Sequence, residues 1–381
     1  MKRILYVAMA DIHSCSGGGY ANRAFYESLI SHYPDRVDLV QFEEDVKEED
    51  QNSYGVPPKS LKVKLLDLSK GTIHRFTPWL LQFIKIHGHN YGCCIINSGI
   101  LGDIIPEIKR FIPVVVMIHH NDEAVFQKDN NRPTTFWGLT SYFVNKNQKE
   151  AYQVADLNLF LTKYDQQLFE NKYGKLDSNR NVVVGVYETQ NQNRPLVKRD
   201  LPHNIFVITG ALHNVQTIKG IKDLFGHYLT QIEQVFGEDY HLIIAGRKPG
   251  KYIQSQQSNN VSIKADPVNM DEIVSKAGIF ICPIHVGSGL KLRIMDGLKM
   301  GMPILTHEVS ARGYEFFSNE KWFQVYSDTK SFASGLKQIK KILECEENLQ
   351  QIIYDKYLEY FSFEAGDKRF INVLKKVYDK D

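Results

Sequence analysis

One stretch of the chain concentrates the residue types that bind phosphate. Gly287, Ser288, Gly289 and Leu290 are followed by Lys291 and Arg293, then by Asp296, and the stretch closes on Gly301, Pro303 and Thr306. It directly follows an apolar run that ends in Cys282 and Pro283. The order reads strand, glycine loop, helix, glycine stop, strand. Glycines after a strand let backbone N–H groups approach phosphate oxygens, and a helix starting there adds the positive end of its dipole. Lys291 and Arg293 add full charge at the same end. Asp296, about one helical turn further in, can accept hydrogen bonds from ribose hydroxyls. Together these residues suit a nucleoside diphosphate.

A loop of this kind needs a parallel sheet behind it, and the sequence supplies two. In the first half, Ile4 to Met9, Val37 to Gln41, Gly92 to Asn97, Val114 to Ile118, Asp156 to Leu161 and Val182 to Val186 are short apolar runs separated by helix-compatible segments. That is the form of parallel strands covered on both faces. A polar stretch from Glu188 to Asp200 reads as a linker. The alternation restarts with Ile205 to Thr209, His241 to Ala245, Val261 to Ile263, Ile279 to Pro283 and Pro303 to Thr306. With 381 residues the chain also exceeds what one hydrophobic core organises. The expectation is α/β: two Rossmann-like doubly wound domains facing across a cleft. They span 1–193 and 201–356, and a final helical segment, 357–381, joins the first. Open sheets of this type bind ligands at the carboxyl ends of their strands.

The stretch from Gly287 to Thr306 closely resembles the donor-binding segment of retaining GT-B glycosyltransferases, especially the large family 4 (glycosyltransferase group 1). Upstream, Gly210-Ala211-Leu212 followed by Lys219-Gly220 is similar to the Gly-Arg-Leu and Lys-Gly pair of that family. The resemblance covers roughly residues 203 to 317 and implies that Lys219 grips the donor diphosphate. It also implies a nucleobase pocket around Gly246 and Val261-Ser262-Ile263, which puts Ile263 among the donor contacts. In the N-terminal half, Gly17-Gly18-Gly19 resembles the family's glycine loop, with Gly18 and Gly19 near the donor phosphates. Val116-Met117-Ile118-His119 resembles a strand ending in a cleft-facing histidine, although His120 could equally be the one that faces it. Three departures stand out: Ala211 replaces an arginine, Asp296 replaces a glutamate, and His285 and Val286 precede Gly287 where a glutamate often opens the loop.

The resemblance implies transfer of a sugar from a nucleoside-diphosphate sugar to a hydroxyl acceptor, with retention. Lys219, Lys291 and His119 would form the catalytic set, and Gly210, Gly287, Ser288, Gly289, Leu290, Arg293 and Asp296 would hold the donor beside them. The acceptor would be a saccharide, glycolipid or protein-linked glycan, as in surface glycan synthesis. No DxD-like metal motif follows a strand, in line with a fold that commonly works without metal or other cofactor. Two alternatives are a catalytically weak nucleotide-sugar-binding homologue supporting a partner transferase, and a sugar-nucleotide epimerase.

Bulk properties narrow the field further. A net charge of +2 is too small for wholesale nucleic-acid binding. The five cysteines, Cys15, Cys93, Cys94, Cys282 and Cys345, show neither CxxC nor disulfide spacing, which fits a reducing cytoplasm. Thirteen histidines include the adjacent His119 and His120 but no third ligand at a metal-binding spacing. No apolar run is long enough to cross a bilayer. The stretch Lys59 to His89 mixes basic residues with Trp79, Leu80, Leu81, Phe83 and Ile84, so it reads as an amphipathic core helix or as a peripheral membrane contact.

Overall fold

Apolar runs become parallel strands where helices cover both faces, and this chain lays them out in two sheets. The computed structural model describes residues 2–14, 16–48, 50, 52–69, 72–130, 137–190 and 195–379. Cys15 lies outside them, as do residues 191–194 of the stretch read as a linker. The chain divides into two compact units: Met1–Asn193 with Ser362–Asp381, and Arg194–Phe361.

The first unit holds strands β1 (Arg3–Val7), β2 (Val37–Phe42), β3 (Ser53–Val56), β4 (Tyr91–Ile96), β5 (Val114–His119), β6 (Leu157–Phe160) and β7 (Asn181–Val183). They pair in the order β3-β2-β1-β4-β5-β6-β7, with parallel ladders such as Leu5 opposite Cys94 and Val7 opposite Ile96. Ile4 to Val7 and Cys93 to Ile96 are wholly buried, which is why these strands read as unbroken apolar runs. Phe76, Leu80 and Ile84 of the helix Phe76–His87 join the same core, so this part of the Lys59 to His89 stretch turns its apolar face inward.

The second unit holds β8 (Ile205–Ala211), β9 (His241–Arg247), β10 (Val261–Ala265), β11 (Ile279–Cys282), β12 (Ile304–His307) and β13 (Phe323–Tyr326), in the order β10-β9-β8-β11-β12-β13. Its core gathers Phe206, Ile208, Leu242, Ile244, Ile279 and Ile281 from the central strands. Both sheets are doubly wound, as expected. The strand order reverses between β1 and β4 in one and between β8 and β11 in the other. A reversal of this kind opens a crevice at the strands' carboxyl ends.

Differences from the sequence-based reading fall at the margins. β3 and β13 are additional, and each lies at the edge of its sheet. The strand expected over Val182 to Val186 pairs only through Asn181–Val183. The final segment breaks at Ser362, whose hydroxyl accepts the Ala365 N–H at 3.2 Å and caps the helix Phe363–Tyr378. That helix turns Phe363, Phe370, Ile371 and Leu374 inward. Phe370 meets Phe25 edge-on at 4.9 Å, and Arg369 Nε donates to the Val184 carbonyl at 3.0 Å.

Candidate functional site

At the β8–β11 reversal, the two segments that follow these strands lie against each other. After β8 the chain turns into the helix Val215–Asp223, capped by Asn214, whose Oδ1 accepts the Gln216 N–H at 2.9 Å. The buried face of this helix carries Gln216, Thr217, Gly220 and Ile221. After β11 comes an irregular loop from Pro283 to Leu292. A Cβ on Gly220 would stand 2.7 Å from the Pro283 carbonyl oxygen, so only glycine allows helix and loop to touch backbone to backbone. Further along, Gly287 has φ +97°, and a Cβ there would fall 2.3 Å from Gln216 Nε2. The loop is thereby laid along the helix at Gly287, with Ser288 buried and Gly289 and Leu290 half-buried beyond it.

Arg293 opens the helix Arg293–Lys299, which begins later than the glycine loop itself. Its guanidinium reaches back to β8: Nη1 donates to the Thr209 carbonyl at 2.9 Å and Nη2 to Thr217 Oγ1 at 3.1 Å. A Cβ on Gly210, where φ is +132°, would stand 2.6 Å from Arg293 Cζ. Gly210 is therefore the seat of this guanidinium. Burial draws the Arg293 pKa below its ordinary value, against the opposing influence of Cys282 and Asp296. An arginine stays protonated under such a shift. Asp296 Oδ2 accepts the Thr209 hydroxyl at 2.9 Å, tying the same helix to the same strand end.

The structure thus brings Gly210, Arg293 and Asp296 into one cluster, and lays Gly287, Ser288, Gly289, Leu290 and Lys291 along the helix that carries Lys219. Lys291 is 7% exposed, and its ammonium donates to the carbonyls of Ser288 and Gly289 at 2.9 and 3.3 Å, bracing the loop from within. Lys219 is exposed and lines a shallow concavity with Lys222, Asp223, His227 and His285. Ile263 stands apart on the edge strand β10, where its N–H donates to Gln257 Oε1 at 2.8 Å.

In the first unit, Gly18 and Gly19 lie in the first turn of the helix Gly17–His32 and not in the expected loop, because Ser16 caps that helix through the Gly19 N–H at 3.1 Å. His119 ends β5 at 2% exposure, with Nε2 2.9 Å from Asn158 Oδ1 and its ring stacked on Phe160. Burial lowers its pKa to about 4, so it is neutral. His120, 3.4 Å from Asn97 Oδ1, is lowered to about 4 by the same cause. Close by, Glu123 accepts the Ser98 hydroxyl at 3.0 Å, and burial pushes its carboxyl up to about 7.

Sequence reasoning missed Thr209, Thr217, Gln216, Ser98 and Glu123, which act through contacts with residues distant in the chain. Ser98 follows β4 and Glu123 opens the helix after β5, so their places just past strand ends were the available signal. Among the described residues, no group of three or more His, Cys, Asp or Glu side chains could hold a metal ion. No helix among them is long and apolar enough to cross a membrane.

Residues 203–341 match the family model described as "Glycosyl transferases group 1". Among curated protein sequences, none matches. Over 99% of the chain the fold superposes on all of HepE from Anabaena in its complex with UDP-glucose, at 10% identity and a TM-score of 0.69. The apo lipopolysaccharide outer core galactosyltransferase WaaB is similar over 99% of both chains, at 12% identity and a TM-score of 0.68. A glycosyltransferase from Rickettsia africae is similar over 100% of this chain and 99% of its own, at 12% identity and a TM-score of 0.66. At such identities the likeness establishes the fold.

Proposed function

We propose that this chain is a GT-B-fold glycosyltransferase related to the group 1 family, and that its second unit holds the nucleoside-diphosphate sugar at the β8–β11 reversal. The sugar then passes with retention to a hydroxyl of a saccharide, glycolipid or protein-linked glycan held by the first unit. The observation that carries this reading is the guanidinium of Arg293, seated over Gly210 between Thr209 and Thr217 beside the glycine loop. A fixed cation beside a glycine loop is what a diphosphate leaving group requires.

Departure of a nucleoside diphosphate builds negative charge on the leaving oxygen. A cation about 4 Å away contributes roughly 4 kcal/mol at an effective dielectric of about 20. Arg293 supplies that charge without reorganising, since two hydrogen bonds already hold it. Lys219, exposed on the neighbouring helix, closes over the diphosphate from the solvent side. Lys291 keeps the loop in shape, so that the N–H groups around Gly287 to Leu290 face the phosphates. Asp296 and Ile263 remain donor contacts in this scheme, towards ribose and base. Gly18 offers its N–H at the start of the helix Gly17–His32, next to Gly19, whose own N–H donates to the Ser16 cap. His119, neutral and bonded to Asn158, fixes the end of β5 and takes no proton, so the departing phosphate itself receives the acceptor proton.

The chemistry needs no metal in this scheme. Acceptor delivery from a membrane surface would use the outer side of Phe76–His87, where Lys85 and Ile86 are exposed; growth of a surface glycan or glycolipid from the cytoplasmic face fits that placement. A second reading, a nucleotide-sugar-binding homologue that supports a partner transferase, is favoured by one observation: the Lys291 ammonium already rests on two loop carbonyls.

Titration calorimetry with UDP, GDP, ADP and UDP-glucose, followed by assays of donor hydrolysis and transfer, tests both. Binding of one diphosphate with turnover of its sugar supports the transferase. Binding without turnover supports the second reading, and no binding by any of the four sinks both.

A further inference from the structure

Two buried hydroxyls from one segment hold the two ends of the glycine loop. The chain leaving β12 at His307 turns at once, with the N–H groups of Ser310 and Ala311 donating to the His307 carbonyl at 2.8 and 3.0 Å. Ser310, wholly buried, donates its hydroxyl to the Ile284 carbonyl at 2.6 Å. Tyr314, also wholly buried, donates its hydroxyl to the Lys291 carbonyl at 3.1 Å. Ile284 lies at the start of the loop and Lys291 near its end, so Gly287, Ser288 and Gly289 are strung between two pins.

The pins are themselves fixed. The Tyr314 ring stacks on Phe323 at 6.0 Å and meets Phe361 at 5.6 Å, and its N–H donates to the Ala311 carbonyl at 2.9 Å. Val309 N–H donates to His307 Nδ1 at 3.2 Å, which ties the start of the segment to the strand end. Both pins grip backbone carbonyls, so they set the course of the loop without adding charge to it.

We infer that Ser310 and Tyr314 are positioning residues for the donor, holding the loop N–H groups in their phosphate-facing arrangement before any ligand arrives. The inference rests on reading this loop as the diphosphate site. A flexible loop must be ordered when the ligand binds, and that ordering subtracts from affinity. A loop pinned at both ends has already met that cost in folding.

The test uses the full-length protein with Tyr314→Phe, Ser310→Ala and the double substitution. Affinity is measured for UDP, GDP and ADP, together with melting temperature and hydrogen exchange at Gly287 to Lys291 without ligand. For whichever diphosphate the wild type binds, each single substitution weakens binding about 5- to 20-fold. The double loses less than the product of the two, because one freed end already releases the loop. Loop amides exchange faster in both single variants, while each melts within a few degrees of the wild type. If one variant fails to fold, the other carries the same expectation alone. Unchanged affinity and loop exchange in a folded variant overturn the inference and leave the diphosphate site standing. If the wild type binds none of the three, the site reading itself falls and the inference falls with it.

Discussion

At the β8–β11 reversal the second unit sets a guanidinium, an ammonium braced in a glycine loop, and an exposed lysine on the flanking helix. At the ends of β4 and β5 the first unit sets Asn97, Ser98, His120 and Glu123, with His119 sealed beneath. The strand orders match except for the added edge strand β7, yet one crevice carries fixed positive charge and the other carries groups whose ionisation burial opposes: histidines lowered to about 4 and a carboxyl raised to about 7. Topology decides where a ligand can sit. In the proposed reading, the residues that follow the strands decide whether it is an anion or a neutral, hydroxyl-bearing molecule.

The largest effect that would break this contrast is loss of the seated cation. Arg293→Ala should lower donor turnover by about 10²- to 10³-fold, the cost of removing one preorganised charge-stabilising donor. Glu123→Gln should leave nucleotide affinity unchanged. Steady-state kinetics and calorimetry on the two variants check both expectations, and equal losses of donor affinity would erase the distinction between the units.

A subtler change sharpens it. Gly210→Ala retains every charge but sets a methyl 2.6 Å from Arg293 Cζ in a backbone conformation that favours glycine. We expect a loss of about 10-fold or more in donor affinity, between the wild type and Arg293→Ala, as displacement of a hydrogen-bonded ion implies. Nucleotide titration checks it, and wild-type affinity would show that the seat is not needed.

The smallest effect belongs to the first unit. Glu123 titrates near 7 in the folded protein against an ordinary 4.5. The native state therefore binds this proton more tightly, and ionising the group costs stability as pH rises from about 4.5 through 7. Glu123→Gln keeps an acceptor for Ser98 without the charge. It should melt about 2–4 °C above the wild type at pH 8: the shift from 4.5 to about 7 corresponds to about 3 kcal/mol at most, partial exposure of Glu123 leaves roughly 1 kcal/mol of it, and that moves the melting point of a unit of this size by about 2–4 °C. The gap should narrow as pH falls and close below about 4.5, where the carboxyl is protonated in both the folded and the unfolded chain. A pH-independent gap would assign the effect to packing.

How far the sequence spoke depended on how local each cause is. β1, β4, β5, β8, β9, β11 and β12 were legible because both faces are covered, which leaves unbroken apolar runs. β3 and β13 were not, since an edge strand is only partly covered: in Ser53–Val56 Val56 alone is buried, and in Phe323–Tyr326 only the end residues are. Gly287 to Arg293 was legible as residue types at a spacing, but the partners were not. That Arg293 sits over Gly210, that Gly220 exists for the Pro283 carbonyl, and that Ser310 and Tyr314 hold the loop are contacts across distant segments, with no pattern along the chain. Ser16 before Gly17 was a local cap signal, and the run of glycines masked it.

The helix Phe363–Tyr378 packs on Phe25 and Val184 of the first unit, although residues 194–361 lie between. During synthesis the second unit is therefore a continuous insertion that emerges whole, while the first waits for residues 363–378. At about 5–20 residues per second the ribosome takes roughly 8–34 s to pass that insertion. For that interval the nascent chain carries Phe25 without its last partner, so the part translated first is the last to be completed.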